Sequence, residues 1–251
     1  MLNKLFKRIR STVFPNRCIV CGNICVDEFF CTKCNGTLEP FKVKLCTKCG
    51  APKWFCQCKY YFYYFDKIVT AFPNKDTAKE AFYRFKFNSA VLSAGYFADC
   101  MADKVKNYFN NTDFDYITYI PMHFSKKSDR GYNQSEILAK HISKKLKIPF
   151  KKVLIQPKKS KVQQKDSTIA ERFLNIKGRY KVKSNIDIKG KHILLVDDIM
   201  TTGSTLSEAA RELKLMGAEY ICCVAALKTL NKRKKLRLKP NKPIAISYKV
   251  M

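Results

Sequence analysis

Read by hydropathy, most of the chain alternates between short apolar runs and longer stretches in which apolar residues recur every three or four positions. The β-favouring run His192–Val196 reads as a buried parallel strand. The stretch after it carries Leu206, Ala209, Ala210, Leu213 and Leu215 at helical spacing and reads as a helix over 203–216. The same pattern gives strands over 66–72, 116–120, 220–226 and 244–247, and helices over 78–87, 90–108 and 135–146. Strand and helix taking turns build a parallel sheet flanked by helices, so the predicted fold class is α/β. Leu2, Leu5, Phe6, Ile9 and Val13 recur at helical spacing among Lys4, Lys7, Arg8 and Arg10, which predicts a short basic amphipathic helix at the start. A small N-terminal unit, 1–62, is expected to precede the α/β unit, 63–251, with the aromatic run Lys59–Phe65 as the seam or as a stacking platform for nucleic-acid bases.

Chemistry gathers where the strand 192–196 is expected to end. Asp197 and Asp198 follow directly, and Thr201, Thr202, Gly203, Ser204 and Thr205 then lead into the helix. Small hydroxylated residues and a glycine expose backbone N–H groups, and the helix start adds unsatisfied amides and a positive dipole end, which together cradle an anion. Two carboxylates beside such a cradle suit a phosphorylated ribose, whose hydroxyls donate to them. The plain alternative is a strand-to-helix turn in which Asp198 and the threonines only cap the helix. The loop 121–134 follows another strand and so faces the same carboxyl edge of the sheet, where it brings Lys126, Lys127 and Arg130. Lys86 is either a further phosphate ligand or part of a solvated helix face. The polar segment 158–180 reads as a lid able to close over a ligand, or as a linker.

Nine of the twelve cysteines lie between Cys18 and Cys58, mostly in pairs. C-x-x-C turns let two thiolates approach one tetrahedral Zn²⁺, and two such knuckles complete its ligands. Pairing neighbours puts one zinc on Cys18, Cys21, Cys31 and Cys34 and a second on Cys46, Cys49, Cys56 and Cys58; an interleaved pairing has the same spacings. Cys100, Cys222 and Cys223 sit in apolar surroundings as small core residues. No run of eighteen apolar residues and no secretory h-region is present, so a cytoplasmic protein is expected, with weak membrane-surface association through the basic N-terminal helix as an accessory reading. The formal charge is +29, from 49 Lys and Arg against 20 Asp and Glu. Residues 122–165 hold 13 basic and 2 acidic side chains, and residues 228–251 hold 9 basic and no acidic ones. Part of this excess is explicable as compositional habit; its clustering favours a polyanion, with binding that weakens as salt rises.

The run Val196–Thr205 resembles the phosphoribosyl-pyrophosphate signature of type I phosphoribosyltransferases. That resemblance implies that Asp197 and Asp198 bind the ribose hydroxyls, that Thr201 to Thr205 hold the 5′-phosphate, and that Mg²⁺ accompanies the pyrophosphate. Together with the basic helix and the cysteine ribbon, Arg130-Gly-Tyr-Asn-Gln134, Gln163 and Arg172-Phe-Leu-Asn175 make the whole chain similar to the ComF family of bacterial competence proteins. These join a zinc module to a phosphoribosyltransferase-like domain. The resemblance implies a role in natural transformation, handling incoming single-stranded DNA in the cytoplasm, with a competence helicase as a further partner. The lysine-rich spacing of 157–167 leaves Gln163 and Gln164 as alternatives for one aligned position. Two uses of the pocket follow: a ligand-binding clamp that regulates DNA handling, or an active transferase on an unidentified acceptor, with Asp197, Asp198 and Arg130 at its centre. Nucleotide salvage is a variant of the second.

Overall fold

The computed structural model describes residues 16–25, 29–56, 58, 62–87, 93–123, 128, 131–157 and 176–230. The N-terminal basic helix, Lys126, Lys127, Arg130, most of the 158–180 segment with Gln163, Arg172 and Asn175, the strand expected over 244–247 and nearly all of the basic C-terminal run lie outside these residues.

In chain order the elements are β1 (Lys67–Pro73), α1 (Asp76–Phe87), α2 (Ser93–Tyr108), β2 (Tyr116–Tyr119), α3 (Gln134–Leu146), β3 (Leu154–Ile155), β4 (Lys181–Val182), β5 (His192–Met200), α4 (Ser204–Leu215) and β6 (Tyr220–Lys228). Four strands form one sheet in the order β1-β6-β5-β2, with every neighbouring pair parallel. Such a sheet needs cover on both faces, and the side-chain alternation supplies it. Val69, Ala71, Ile117, Leu194, Val196, Cys222 and Val224 face a core built with Phe82 and Phe85 of α1, Phe97 and Met101 of α2 and Leu138 and Ile142 of α3. Ile68, Ile193, Leu195, Ile221 and Cys223 point the other way, onto Leu206, Ala209, Ala210 and Leu213 of α4 and onto Phe65, Tyr180 and Ile188. The adjacent thiols Cys222 and Cys223 therefore serve opposite faces, both fully buried, while Cys100 on α2 is half-buried.

Three local expectations change. β5 does not stop at Val196; it runs through both aspartates to Met200. The reason is β6, which continues alongside to Lys228 and offers backbone partners in register, Asp197 opposite Ala225 and Met200 opposite Lys228. Leu215, read with the apolar side of its helix, is 66% exposed, because it follows Leu213 by two positions and has turned about 200° away. A short antiparallel pair, β3 with β4, adds to the expected alternation.

The cysteine-rich segment shares the first core through Ile19, Leu38 and Leu45. It also covers the outer edge of β1: Ile68 N–H donates to Thr47 O at 2.7 Å, Thr70 Oγ1 to Gly50 O at 2.6 Å, and Phe41 N–H to Ala71 O at 2.8 Å. An exposed parallel edge would otherwise offer its backbone to other chains. Gly50 (φ +68°) is needed here, since a Cβ would stand 2.6 Å from Thr70 Cγ2. No helix among the described residues is long and apolar enough to cross a membrane.

Candidate functional site

Asp197 and Asp198 lie near the carboxyl end of β5 in different surroundings. Asp197 is 5% exposed; its Oδ1 accepts from Ser135 Oγ at 3.2 Å and from the Asp198 N–H at 2.8 Å. Burial, and then the neighbouring Asp198 charge, push its pKa well above the usual carboxylate value. Asp198 shares the parity of Leu194 and Val196 and so turns towards α1. There Lys86 Nζ reaches Asp198 Oδ2 at 3.2 Å, while the Ile199 N–H donates to Oδ1 at 2.6 Å. Lys86 is thus an ion-pair partner of the acidic pair, not a solvated side chain.

The loop that follows is built around Gly203. Its φ is +83°, and a Cβ there would meet Met200 Cε at 2.6 Å and Tyr63 Cε1 at 2.9 Å, so another residue would be strained in its backbone and crowded at its side chain. Buried Thr202 and Ser204 bring their hydroxyl oxygens to 3.0 Å. Two donors from elsewhere hold the loop's carbonyls: Lys228 Nζ to Thr201 O at 2.8 Å and Tyr63 OH to Thr202 O at 3.1 Å. Engaging these acceptors within the protein keeps them from opposing an anion at the α4 N-terminus. Thr201 is exposed and Thr205 half-buried at that end, while Leu206, Ala209, Ala210 and Leu213 fix α4 to the sheet. Lys228 is itself buried, which lowers its pKa to about 8.

Four consecutive residues at the start of α3 each contact a different neighbour. Tyr132 OH donates to Phe85 O, and Gln134 Nε2 to Lys86 O at 3.2 Å. Asn133 caps the helix by accepting from the Ser135 N–H at 3.0 Å, and its amide donates to Ile120 O at 3.0 Å. Ser135 completes the set on Asp197. Arg130 and Lys126, expected in the same loop, lie outside the described residues, so the structure does not place them.

The ligating sulfurs of Cys18, Cys21, Cys31 and Cys34 lie within 4.8 Å of one another, as do those of Cys46, Cys49, Cys56 and Cys58. The neighbour pairing, not the interleaved one, is what the fold brings together. Cys21 to Cys31 and Cys46 to Cys58 are both 3.8 Å apart and Cys49 to Cys56 is 3.6 Å, while Cys56 and Cys58, two residues apart in the chain, stand closer at 3.1 Å. A tetrahedron of thiolates around zinc has sulfur–sulfur edges of about 3.8 Å, so the donor sets fit that ion. Burial raises Cys18, yet backbone N–H groups of Cys21, Cys31 and Val20 outweigh it and bring the thiol down to about 6; burial and the other three thiols push Cys34 up to about 12. In the second set the same contrast stands between Cys56, at about 7, and Cys58, at about 12. Sulfurs this close ionise together only around a cation.

The comparisons with known proteins cover both parts. A phosphoribosyl transferase domain family model matches residues 133–247, and a double zinc ribbon domain model matches residues 9–60. Competence protein F of Haemophilus influenzae is 26% identical over 219 residues, covering 83% of this chain and 95% of its own. Along most of its length the chain is thus similar to proteins of bacterial competence. Competence protein ComFC of Bacillus subtilis is 26% identical over 201 residues, covering 74% of this chain and 78% of its own. The DNA utilization protein YhgH of Escherichia coli K12 is 28% identical over 116 residues, 46% and 50% of the two chains. The cysteine sets are of the structural-zinc kind, and the acidic pair and glycine loop lie within the phosphoribosyl transferase match. Sequence reasoning does not reach Lys228, and it reaches Tyr63 only as part of the aromatic run Lys59–Phe65. Ser135 has a signal in its place directly after the Arg130–Gln134 motif, one position into the helix.

Proposed function

We propose that this protein is a member of the ComF family that serves natural transformation by handling incoming single-stranded DNA in the cytoplasm, and that its ribose-phosphate pocket binds phosphoribosyl pyrophosphate and controls the grip on DNA. The names of its relatives support the competence role. The observation that carries the pocket reading is the Lys86–Asp198 ion pair, 3.2 Å long, beside a loop whose Thr201 and Thr202 carbonyls are both held by donors of the protein.

In that reading the 5′-phosphate sits on the loop 201–205 at the start of α4, and the sugar hydroxyls donate to Asp197 and Asp198. Lys86 lies close enough to exchange its partner from Asp198 to a ligand oxygen. Mg²⁺, carried with the ligand, neutralises the pyrophosphate. Burial and the Asp198 charge raise the Asp197 pKa above the usual carboxylate value, and a sugar hydroxyl or cation brought by the ligand favours its ionised form. The basic chain and the ribbon grip the phosphate backbone, and the expected protein partner is a competence helicase at the inner face of the membrane.

Catalysis is the second reading, favoured by the paired carboxylates, which a pocket without a diol or metal has no physical need to bury. Calorimetric titration of phosphoribosyl pyrophosphate with Mg²⁺ into wild type and into the Asp197→Asn/Asp198→Asn double variant tests the site. Binding by wild type alone is expected, and equal affinity in both would remove the assignment. Pyrophosphate released on incubation with acceptor pools would make the pocket a transferase, and its absence would leave a clamp.

A further inference from the structure

The last turn of α1 meets three parts of the molecule through three successive residues. Arg84 Nε donates to Val20 O at 2.9 Å, inside the Cys18–Cys21 knuckle, and its guanidinium lies where a Cβ on Gly22 would come to 3.0 Å. Phe85 O accepts from Tyr132 OH, and Lys86 O accepts from Gln134 Nε2, both at the start of α3. Lys86 Nζ holds Asp198. Phe82 and Phe85 pack in the same core as Ile19 of the knuckle, so the turn is anchored on the ribbon by apolar contact as well as by the hydrogen bond.

We infer that Arg84 is a positioning residue that couples the first cysteine set to the ribose-phosphate site. The inference rests on the proposed reading of that site and on the fit of the first set to zinc. With zinc drawing Cys18 and Cys21 together, the knuckle turn between them is fixed and the Val20 carbonyl points at Arg84. Arg84 then fixes the turn from which Lys86 reaches Asp198. The second set is connected differently, through Thr47 O and Gly50 O to β1. Its Cys49 also interacts with the buried Lys228 that holds the Thr201 carbonyl, so any route from this set to the pocket does not pass through Arg84. Because coupling between two sites is reciprocal, a ligand that tightens when zinc is present must itself hold that zinc more firmly.

The experiment uses the full, zinc-loaded chain. Zinc transfer to the chelator 4-(2-pyridylazo)resorcinol is measured at equilibrium, with and without phosphoribosyl pyrophosphate and Mg²⁺. Cys18→Ser identifies the fraction that belongs to the first set, and the Asp197→Asn/Asp198→Asn variant controls for zinc drawn off by the pyrophosphate itself. Ligand is expected to make the first set hold its zinc at least about fivefold more tightly and to change the second set less. Arg84→Met should keep both zincs yet abolish the difference and weaken ligand binding, and Arg84→Lys, which retains a donor, should restore part of it. Zinc retention by the first set that is indifferent to ligand in wild type, or a full effect in Arg84→Met, overturns the coupling. If Arg84→Met fails to fold, the comparison of the two sets in wild type still decides. Failure of wild type to bind the ligand in calorimetry would remove the pocket reading, whereas binding without any effect on zinc retention would remove only this inference.

Discussion

Lys228 Nζ donates to the Thr201 carbonyl at 2.8 Å, tying the end of β6 to the loop that leaves β5. The lysine is 7% exposed, so its charge is held under the loop and contributes little to the solvated surface. It fixes one carbonyl inward and adds positive potential beneath the proposed anion cradle.

Lys228→Met, similar in length and without charge, is therefore expected to weaken phosphoribosyl pyrophosphate binding by about tenfold, roughly 1.4 kcal/mol, with the sheet intact. Calorimetry gives the affinity and circular dichroism the fold. Unchanged affinity would mean that the loop is organised without this tie.

Asp197 carries a pH prediction. Its folded pKa is raised above the unfolded value, so between those two values the folded state binds the extra proton. Stability of the ligand-free protein should fall as pH rises through that window, and the loss is complete above the folded pKa. Asp197→Asn should flatten this dependence and melt higher at neutral pH, by roughly 1 kcal/mol, while losing ligand affinity. Thermal melts across pH check the sign; a variant less stable than wild type at neutral pH would contradict it.

Gly203→Ala places a methyl against Met200 and Tyr63 in a backbone conformation that alanine resists. We expect a cost of about 1–3 kcal/mol and a displaced phosphate loop. Denaturant unfolding reads the first and ligand titration the second, and an alanine variant equal to wild type in both would show that the loop has room the geometry denies.

Cys46→Ser should remove one zinc per chain by metal analysis and loosen the cover over β1. The melting temperature should drop by about 5–10 °C, corresponding to roughly 2–3 kcal/mol. Two zincs retained in the variant would break the assignment of the second set.

The single tryptophan, Trp54, is 59% exposed between Cys49 and Cys56, with Lys48 and Lys53 exposed nearby and no carboxylate anywhere in 40–65. If the ribbon takes part in gripping single-stranded DNA, oligothymidylate should quench its fluorescence by stacking. Neutralising about four phosphates would lower affinity roughly 50-fold between 50 and 200 mM salt. A flat salt response would exclude backbone neutralisation as the source of affinity.

Much of this arrangement is local in sequence and was legible there. The strand-loop-helix order of 192–216 and the cysteine spacings depend on neighbours a few residues apart, and the fold keeps both. Contacts between distant segments were not legible. Arg84 meets Val20, Ser135 meets Asp197 and Lys228 meets Thr201 only because the β1-β6-β5-β2 order and the ribbon's packing on α1 bring them together. The end of β5 was misplaced for a related reason. Two adjacent charges look like a strand terminus, but the register with β6 carries hydrogen bonding past them.

The central claim is that ligand in the pocket controls the grip on DNA. Its most direct test is the affinity for a labelled oligothymidylate, by fluorescence anisotropy at constant Mg²⁺ and ionic strength, with and without saturating phosphoribosyl pyrophosphate. A change of at least about fivefold in wild type, absent from the Asp197→Asn/Asp198→Asn variant, is the predicted result. Equal DNA affinity with and without ligand, in a protein shown to bind that ligand, would contradict it.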